Sequence, residues 1–202
     1  VYKRQLKDNF TPPLYTSCYH PRMLTKRIHL TLDGKLAYPD QPFIALSGDG
    51  KQKLNKKTGE SKPVGKDGKI YNVPQEAPRR GNNTSPRLIC DNPAYVLGRS
   101  FPDKKANPEH HKAYCELLQE CYEKTGNKYV KAILDWLSSD SFSVVADHPD
   151  IVIMDDFDFM VEDVRPVELP DVISFWQEVS YKNNTDRKGL CVITGKVTDL
   201  AR

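Results

Sequence analysis

The stretch Arg79-Arg80-Gly81-Asn82-Asn83-Thr84-Ser85-Pro86-Arg87-Leu88-Ile89-Cys90-Asp91-Asn92-Pro93-Ala94-Tyr95-Val96-Leu97-Gly98 joins two kinds of chain. Its first half is cationic and rich in Gly, Asn, Thr, Ser and Pro, so it has nothing with which to build a core and reads as a surface loop. Its second half opens with the apolar run Leu88-Ile89-Cys90, which reads as a buried strand. Asp91-Asn92-Pro93 then turns the chain, and Tyr95-Val96-Leu97 is buried again before Gly98. A cationic loop fixed at one end by buried chain can hold guanidinium and amide groups against a nucleic acid. The plainer reading is a solvated loop beside a core strand.

Outward from this stretch the charge is uneven. Residues 51–87 carry ten basic and three acidic side chains, a net of +7, whereas residues 140–171 carry ten acids against Arg165, a net of −9. Such asymmetry predicts a polyanion-facing region and a separate acidic face. The composition, 38% hydrophobic and 28% charged over 202 residues, fits a soluble globular chain. No apolar run approaches the roughly 20 residues that cross a bilayer, and no secretory signal is present. Five scattered cysteines without a CxxC pair support neither a zinc ribbon nor a thioredoxin-like motif; reduced cytosolic thiols are the simplest account.

Toward the N-terminus, Ile28, Leu30 and Leu32 alternate with polar residues before Asp33-Gly34, a hairpin signal. Leu6 to Pro21 reads as extended or irregular, and Pro42–Leu46 as a third strand. Lys51–Lys69 reads as a mobile loop or long hairpin tip, followed by strand character from Lys69 to Pro74. Toward the C-terminus the period changes from two to 3.6. Asn107-Pro108 opens a helix with the stripe Tyr114, Leu117, Leu118, Cys121 and Tyr122, and Gly126 ends it. Asn127 caps a second helix with Val130, Ile133, Leu134 and Leu137 on one face, so the two form an antiparallel pair. Ile151–Met154 and Phe157–Val161 read as strands around Asp155-Asp156. Pro170-Asp171 opens a third helix bearing Val172, Phe175, Trp176 and Val179, and Gly189–Gly195 is a last buried strand. The predicted class is α+β: a mostly antiparallel β region with basic loops over residues 1–100, then a helical pair and a mixed β/α segment over 101–202.

The candidate chemistry is sparse. Asp155, Asp156 and Asp158 suit either the divalent cation of a metal nuclease or a hairpin turn in the acidic face; no further acid or His is tied to them, which favours the turn. His110 and His111 point about 100° apart on a helix, cannot share a metal, and read as solvated. Cys115 and Cys121 read as packing residues and Cys191 as an inert buried thiol. No Walker, dinucleotide or nucleophile-elbow motif occurs, so neither a metal nor a cofactor is called for. Lys51, Lys53, Lys56, Lys57, Lys62, Lys66, Lys69 and Arg87 suit phosphate contacts that carry no sequence information. Arg79, Arg80, Asn82, Asn83, Thr84 and Ser85 can instead address base edges, Arg at guanine and Asn at adenine. A further reading is a general RNA- or single-strand-binding module, with Tyr71 and Tyr95 as stacking platforms.

The run Leu88-x-Cys90-Asp91-Asn92-x-x-Tyr95-x-Leu97-Gly98 resembles the (F/L)-x-C-D-N-x-x-Y-x-L-G signature of the large subunit of subtype I-C (Dvulg-type) CRISPR surveillance complexes, also called Cascade. The helical pair from His110 to Leu137, the Gly189–Gly195 segment and the approach through Val73-Pro74-Gln75 and Arg79-Arg80 are also similar to that family. The likeness covers nearly the whole chain. It implies a non-catalytic subunit that recognises the protospacer-adjacent motif on target duplex DNA, helps open the duplex, and contacts crRNA and other Cascade subunits. Cutting would fall to a recruited helicase–nuclease, and the setting would be the prokaryotic cytoplasm. On this likeness Arg79 to Ser85 is the motif-reading loop, supported by Asp91, Asn92 and Tyr95. Val1 to Gln5 depart from the family's apolar opening helix, and the family continues past Arg202 into a larger body, so the chain is expected to be a fragment.

Overall fold

A computed structural model of the chain describes residues 18–50, 52–54, 61–63, 67–77, 79, 84–102, 105–184, 188–190 and 197–199. Its centre is a three-stranded sheet in the order β3-β2-β7, formed by β2 (Lys26–Leu30), β3 (Ile44–Ala45) and β7 (Phe157–Val161). Strand β2 pairs antiparallel with β3 and parallel with β7, with Arg27 opposite Asp158 and Leu30 opposite Val161. Alternation decides what each face meets. Phe157, Phe159 and Val161 are fully buried, and the Phe159 ring lies edge-on to Trp136 with centroids 5.6 Å apart. Between them Asp158, also fully buried, meets arginines instead.

A second sheet pairs β1 (Tyr19–Leu24) with β6 (Lys69–Pro74) antiparallel, Arg22 opposite Tyr71. The β6 bounds are those expected, whereas β1 begins in chain expected to be extended or irregular up to Pro21 and carries no strand signal of its own. A proline is tolerated because a two-stranded sheet consists only of edges. The basic segment contains a hairpin, β4 (Gln52–Leu54) against β5 (Ser61–Pro63), with Lys53 and Lys62 as opposed positions.

The Asp33-Gly34 turn forms, with Gly34 at φ +73° and the Thr31 amide donating to Lys35 carbonyl at 2.9 Å. The returning chain makes a single bridge, Leu36 to Leu30, and not the expected strand, because the flanks of β2 belong to β3 and β7.

The helices follow their punctuation. Helix α1 (Pro93–Val96) starts at Asn92, whose side chain accepts from the Ala94 amide. Helix α2 (Pro108–Thr125) is capped by Asn107, carries Pro108 in its first turn and stops at Gly126, whose φ of 62° lies in the left-handed region. Helix α3 (Lys128–Leu137) is capped by Asn127, which accepts from the Tyr129 and Val130 amides and donates to Asp171 at 2.7 Å, tying α3 to the start of α5. Helix α4 (Ser141–Ala146) is a single short element that the sequence did not signal. Helix α5 (Pro170–Asn184) buries Val172, Phe175 and Trp176 as expected. A last pair joins β8 (Lys188–Leu190) and β9 (Val197–Asp199); Cys191 lies outside the described residues.

The class is α+β. One core runs from Leu24 and Ile28 through Leu88–Cys90 to Trp136, Phe159 and Trp176. That core and the β2–β7 pairing both cross residue 100. No helix of the described residues is long and apolar enough to span a membrane.

A buried charge network and a cationic cavity

Two expected strands are turns. Leu88, Ile89 and Cys90 are fully buried, but Ile89 has φ 65° and the Cys90 amide donates to Leu88 carbonyl at 2.7 Å, a tight γ-turn. A β-branched residue in that region is strained by about 1–3 kcal/mol, which the surrounding packing must hold. The Ile89 carbonyl is fastened by the Tyr114 hydroxyl at 2.7 Å, and burial drives that phenol's pKa well up. The turn swings Arg87 and Asp91 inward. Likewise Val152–Met154 forms a turn closed by the Asp155 amide on Val152 carbonyl, leaving Val152, Ile153 and Met154 52%, 41% and 64% exposed.

Asp91 is the hub. Its carboxylate, fully buried, accepts from the Arg87 amide at 2.7 Å, from Arg87 Nη2 at 3.2 Å, from the Asn92 amide at 2.7 Å and from both Nη atoms of Arg79. Arg79 Nε also donates to Ser85 carbonyl at 2.9 Å, and its guanidinium lies 3.9 Å above the Tyr95 ring. Arg79 is thus a latch joining the two ends of the 79–85 loop to the core, not a free reader of bases. Thr84 and Ser85 are half-buried at the loop's end. Arg80, Asn82 and Asn83 lie outside the described residues.

Arg87, expected on phosphate, has no exposure at all. Its Nη2 lies 2.5 Å from Asp156 Oδ1, and Glu76 approaches its Nε at 3.8 Å. Burial alone would favour its neutral form, but Asp91, Asp156 and Glu76 outweigh this and hold its pKa above the ordinary arginine value.

The three aspartates are neither a hairpin turn in an acidic face nor open metal ligands. Asp155 accepts from the Thr25 hydroxyl at 2.8 Å and the Val152 amide at 2.8 Å. Asp156 takes Arg87 and Arg22. Asp158 takes Arg27 at 2.6 Å, Arg165 at 2.9 Å and the Cys90 thiol at 3.3 Å. A cation at Asp156 or Asp158 would have to displace guanidiniums, and one at Asp155 the Thr25 hydroxyl and the Val152 amide. Among the described residues no group of three or more His, Cys, Asp or Glu side chains is arranged to hold a metal ion. Asp156 and Asp158 of the acidic stretch are therefore neutralised inside the fold by Arg22, Arg27, Arg87 and Arg165 instead of lying on an acidic face.

The tyrosine platforms are also engaged. Arg27 and Arg165 lie 4.9 and 4.4 Å from the Tyr71 ring centre, while Tyr95 carries Arg79 and a parallel His110 ring at 4.5 Å. Tyr95 is buried and offers no ring face to a base, and half-buried Tyr71 already carries two guanidiniums. His110 and His111 are accordingly not solvated: His111 Nδ1 lies 2.8 Å from Tyr95 carbonyl. Cys18, Cys90, Cys115 and Cys121 are free thiols. The last two pack as expected: Cys121 is buried, and Cys115 is half-buried against the core with His111 Nε2 at 3.7 Å.

Of the lysines expected on phosphates, Lys69 is exposed at the head of β6. Lys53 and Lys62 are opposed in the β4–β5 hairpin, and Lys51, Lys56, Lys57 and Lys66 lie outside the described residues.

Beside the latch lies a cavity of about 360 Å³ that sequence reasoning missed. Arg22, Arg79, Arg99 and Lys105 bring positive charge to it, and Phe101, Ile153 and Met154 bring apolar surface. Arg99 is aimed by two backbone acceptors, Ala146 carbonyl at 3.0 Å and His148 carbonyl at 2.6 Å, with Phe101 beneath it. These residues come from β1, the chain after α1 and the turn before β7, and no motif connects them.

The signature run thus encodes one local device: a γ-turn, a buried acid, a helix cap and a tyrosine that together hold Arg79. No curated protein matches the sequence. A family model described as CRISPR-associated protein (Cas_Csd1) matches residues 28–202, which include this device and the sheet that receives it. The chain belongs to the Cas_Csd1 family, the large subunit of type I-C CRISPR surveillance complexes.

Proposed function

We propose that this chain is a non-catalytic DNA-recognition part of a Cascade complex, reading the protospacer-adjacent motif on duplex DNA through the loop from Arg79 to Ser85 and helping R-loop formation. The observation that carries this reading is the latch. Arg79 bonds Ser85 carbonyl and Asp91 together, which supports a loop delivered from a fixed base, as specific readout needs. Arg80, Asn82, Asn83 and Thr84 are then the base-addressing residues, and Arg79, Asp91, Asn92 and Tyr95 their support.

The lysines of residues 51–69 take the phosphate backbone. Lys53 and Lys62 stand at opposed register positions of the β4–β5 pair, which supports a cationic hairpin for a polyanion. The remaining partners are crRNA, the neighbouring Cascade subunits and a recruited helicase–nuclease, in a prokaryotic cytoplasm. Engagement of Asp155, Asp156 and Asp158 by Thr25 and arginines supports an absence of nuclease chemistry here.

The test is duplex binding across a randomised flanking motif, using the complex assembled with its crRNA and partner subunits. Asn82→Ala/Asn83→Ala abolishes the motif preference while retaining general affinity. Equal losses on every sequence would overturn the assignment.

A further inference from the structure

We infer that the cavity between Arg99, Lys105, Phe101 and Met154 is a second nucleic-acid site, holding one unstacked nucleotide of a single strand. It shares Arg79 with the base of the 79–85 loop but meets its ligand at Arg99, Lys105, Phe101 and Met154, and stands whether or not that loop reads a motif. Three observations carry it.

The first is charge. Four cationic side chains reach the cavity. Arg22 and Arg79 are paired with Asp156 and Asp91, and the lining acids Asp155 and Asp156 are 5% and 3% exposed and bonded to Thr25, Arg22 and Arg87. Arg99 and Lys105 carry the charge left over. Lys105 is exposed, and Arg99 spends only Nη1 on its two carbonyl acceptors, so cationic donors remain for a phosphate.

The second is the apolar wall. A tight turn with three exposed apolar residues is costly in water unless something covers it. This turn is held rigidly: Ile151 at its start is 2% exposed, and Asp155 is bonded to Thr25 and to the Val152 amide. Ile153 and Met154 therefore project from a fixed base. Apolar side chains flanked by arginines are the chemistry by which proteins separate stacked bases and receive the freed one.

The third is size and shape. A space of about 360 Å³ suits a single base with its sugar and phosphate, not a duplex. With the Tyr95 ring already covered, Phe101 and Met154 are the surfaces left to meet a base, which any base satisfies through its apolar face. The site is accordingly tolerant of sequence, unlike the loop.

The test uses the full chain with a fluorescent oligothymidylate, its oligouridylate counterpart and a duplex of the same length. Met154→Asp and Lys105→Glu act at exposed positions, and melting curves establish that both variants stay folded. Each is expected to weaken single-strand binding about tenfold or more, whereas Met154→Leu retains it. Strands carrying 5-iodouracil should cross-link to the peptide containing Phe101. The ratio of the two oligonucleotide affinities assigns the strand as DNA or RNA. Unchanged affinity in both charge variants, or absence of single-strand binding by the wild type, overturns the site; the apolar turn would then belong to a protein neighbour. Loss of motif preference in Asn82→Ala/Asn83→Ala, with single-strand affinity intact, separates failure of one site from failure of the other.

Discussion

Arg87 Nη2 and Asp156 Oδ1 lie 2.5 Å apart, 69 positions distant in the chain and both shut away from water. Each charge is tolerable in the core because opposite charges surround it, the other member of this pair being the nearest. The most basic and most acidic parts of the sequence thus meet in its interior.

Breaking one side of that pair should be severe. Arg87→Met or Asp156→Asn alone is expected to cost up to about 3–5 kcal/mol, because the remaining buried charge loses its shortest ion pair and keeps Arg22 in the first case, Asp91 and Glu76 in the second. The double substitution should recover much of the loss. Denaturant midpoints of the three variants against wild type check this.

Gly34 should reject any side chain. Its φ is +73°, and a Cβ there would stand 2.5 Å from the Asp135 Cβ on α3. Gly34→Ala is expected to lose at least about 1 kcal/mol from backbone strain, and more from the clash. Thermal unfolding measures it, with Gly126→Ala as a control whose Cβ meets nothing within 4 Å.

Stability should fall on mild acidification. Burial lowers the pKa of His20 and His29 below the ordinary 6.5, with the Arg27 charge adding to the effect at His29. The unfolded chain therefore binds these protons first. Stability is full above about pH 6.5 and is lost as pH falls through the folded values. His20→Gln/His29→Gln should flatten the slope of melting temperature between pH 7 and pH 5.

Thiol labelling should divide the cysteines. Cys90 and Cys121 are fully buried; burial and the Asp158 charge drive the Cys90 pKa well up, and burial pushes Cys121 up to about 12. Both are expected to react with iodoacetamide only after unfolding, while Cys18 and Cys115 react in the native state. Peptide mapping after labelling at pH 8 distinguishes the two classes.

Helices α2 and α3 were legible because local chemistry decides their ends: Asn107 with Pro108, then Gly126 with Asn127, each acting within a few residues. Strand β6 was legible for the same reason, as an apolar run with turn residues on either side. The two short runs Leu88–Cys90 and Ile151–Met154 were misread because three or four apolar residues carry no period. What made them turns was tertiary: the Tyr114 hydroxyl on Ile89 carbonyl and the Thr25 hydroxyl on Asp155. The signature run gave the position of the latch but not its working, since Arg79 looked like a reader and serves as a fastening. The cavity was invisible because Arg22, Arg99 and Met154 are far apart in sequence and meet only through the sheets.

The parallel pairing of β2 with β7 has a consequence for the chain during synthesis. Until Phe157–Val161 has emerged, the central sheet lacks its partner strand, and Arg22, Arg27 and Arg87 lack Asp156 and Asp158. A ribosome-bound intermediate ending before this point is an unsheathed polycation, with the loop latch unsupported from below. Contacts of such high sequence separation also form slowly. The nascent N-terminal half should therefore cling to ribosomal RNA and other polyanions without discrimination, and shed them when the late-arriving aspartates draw its arginines inside.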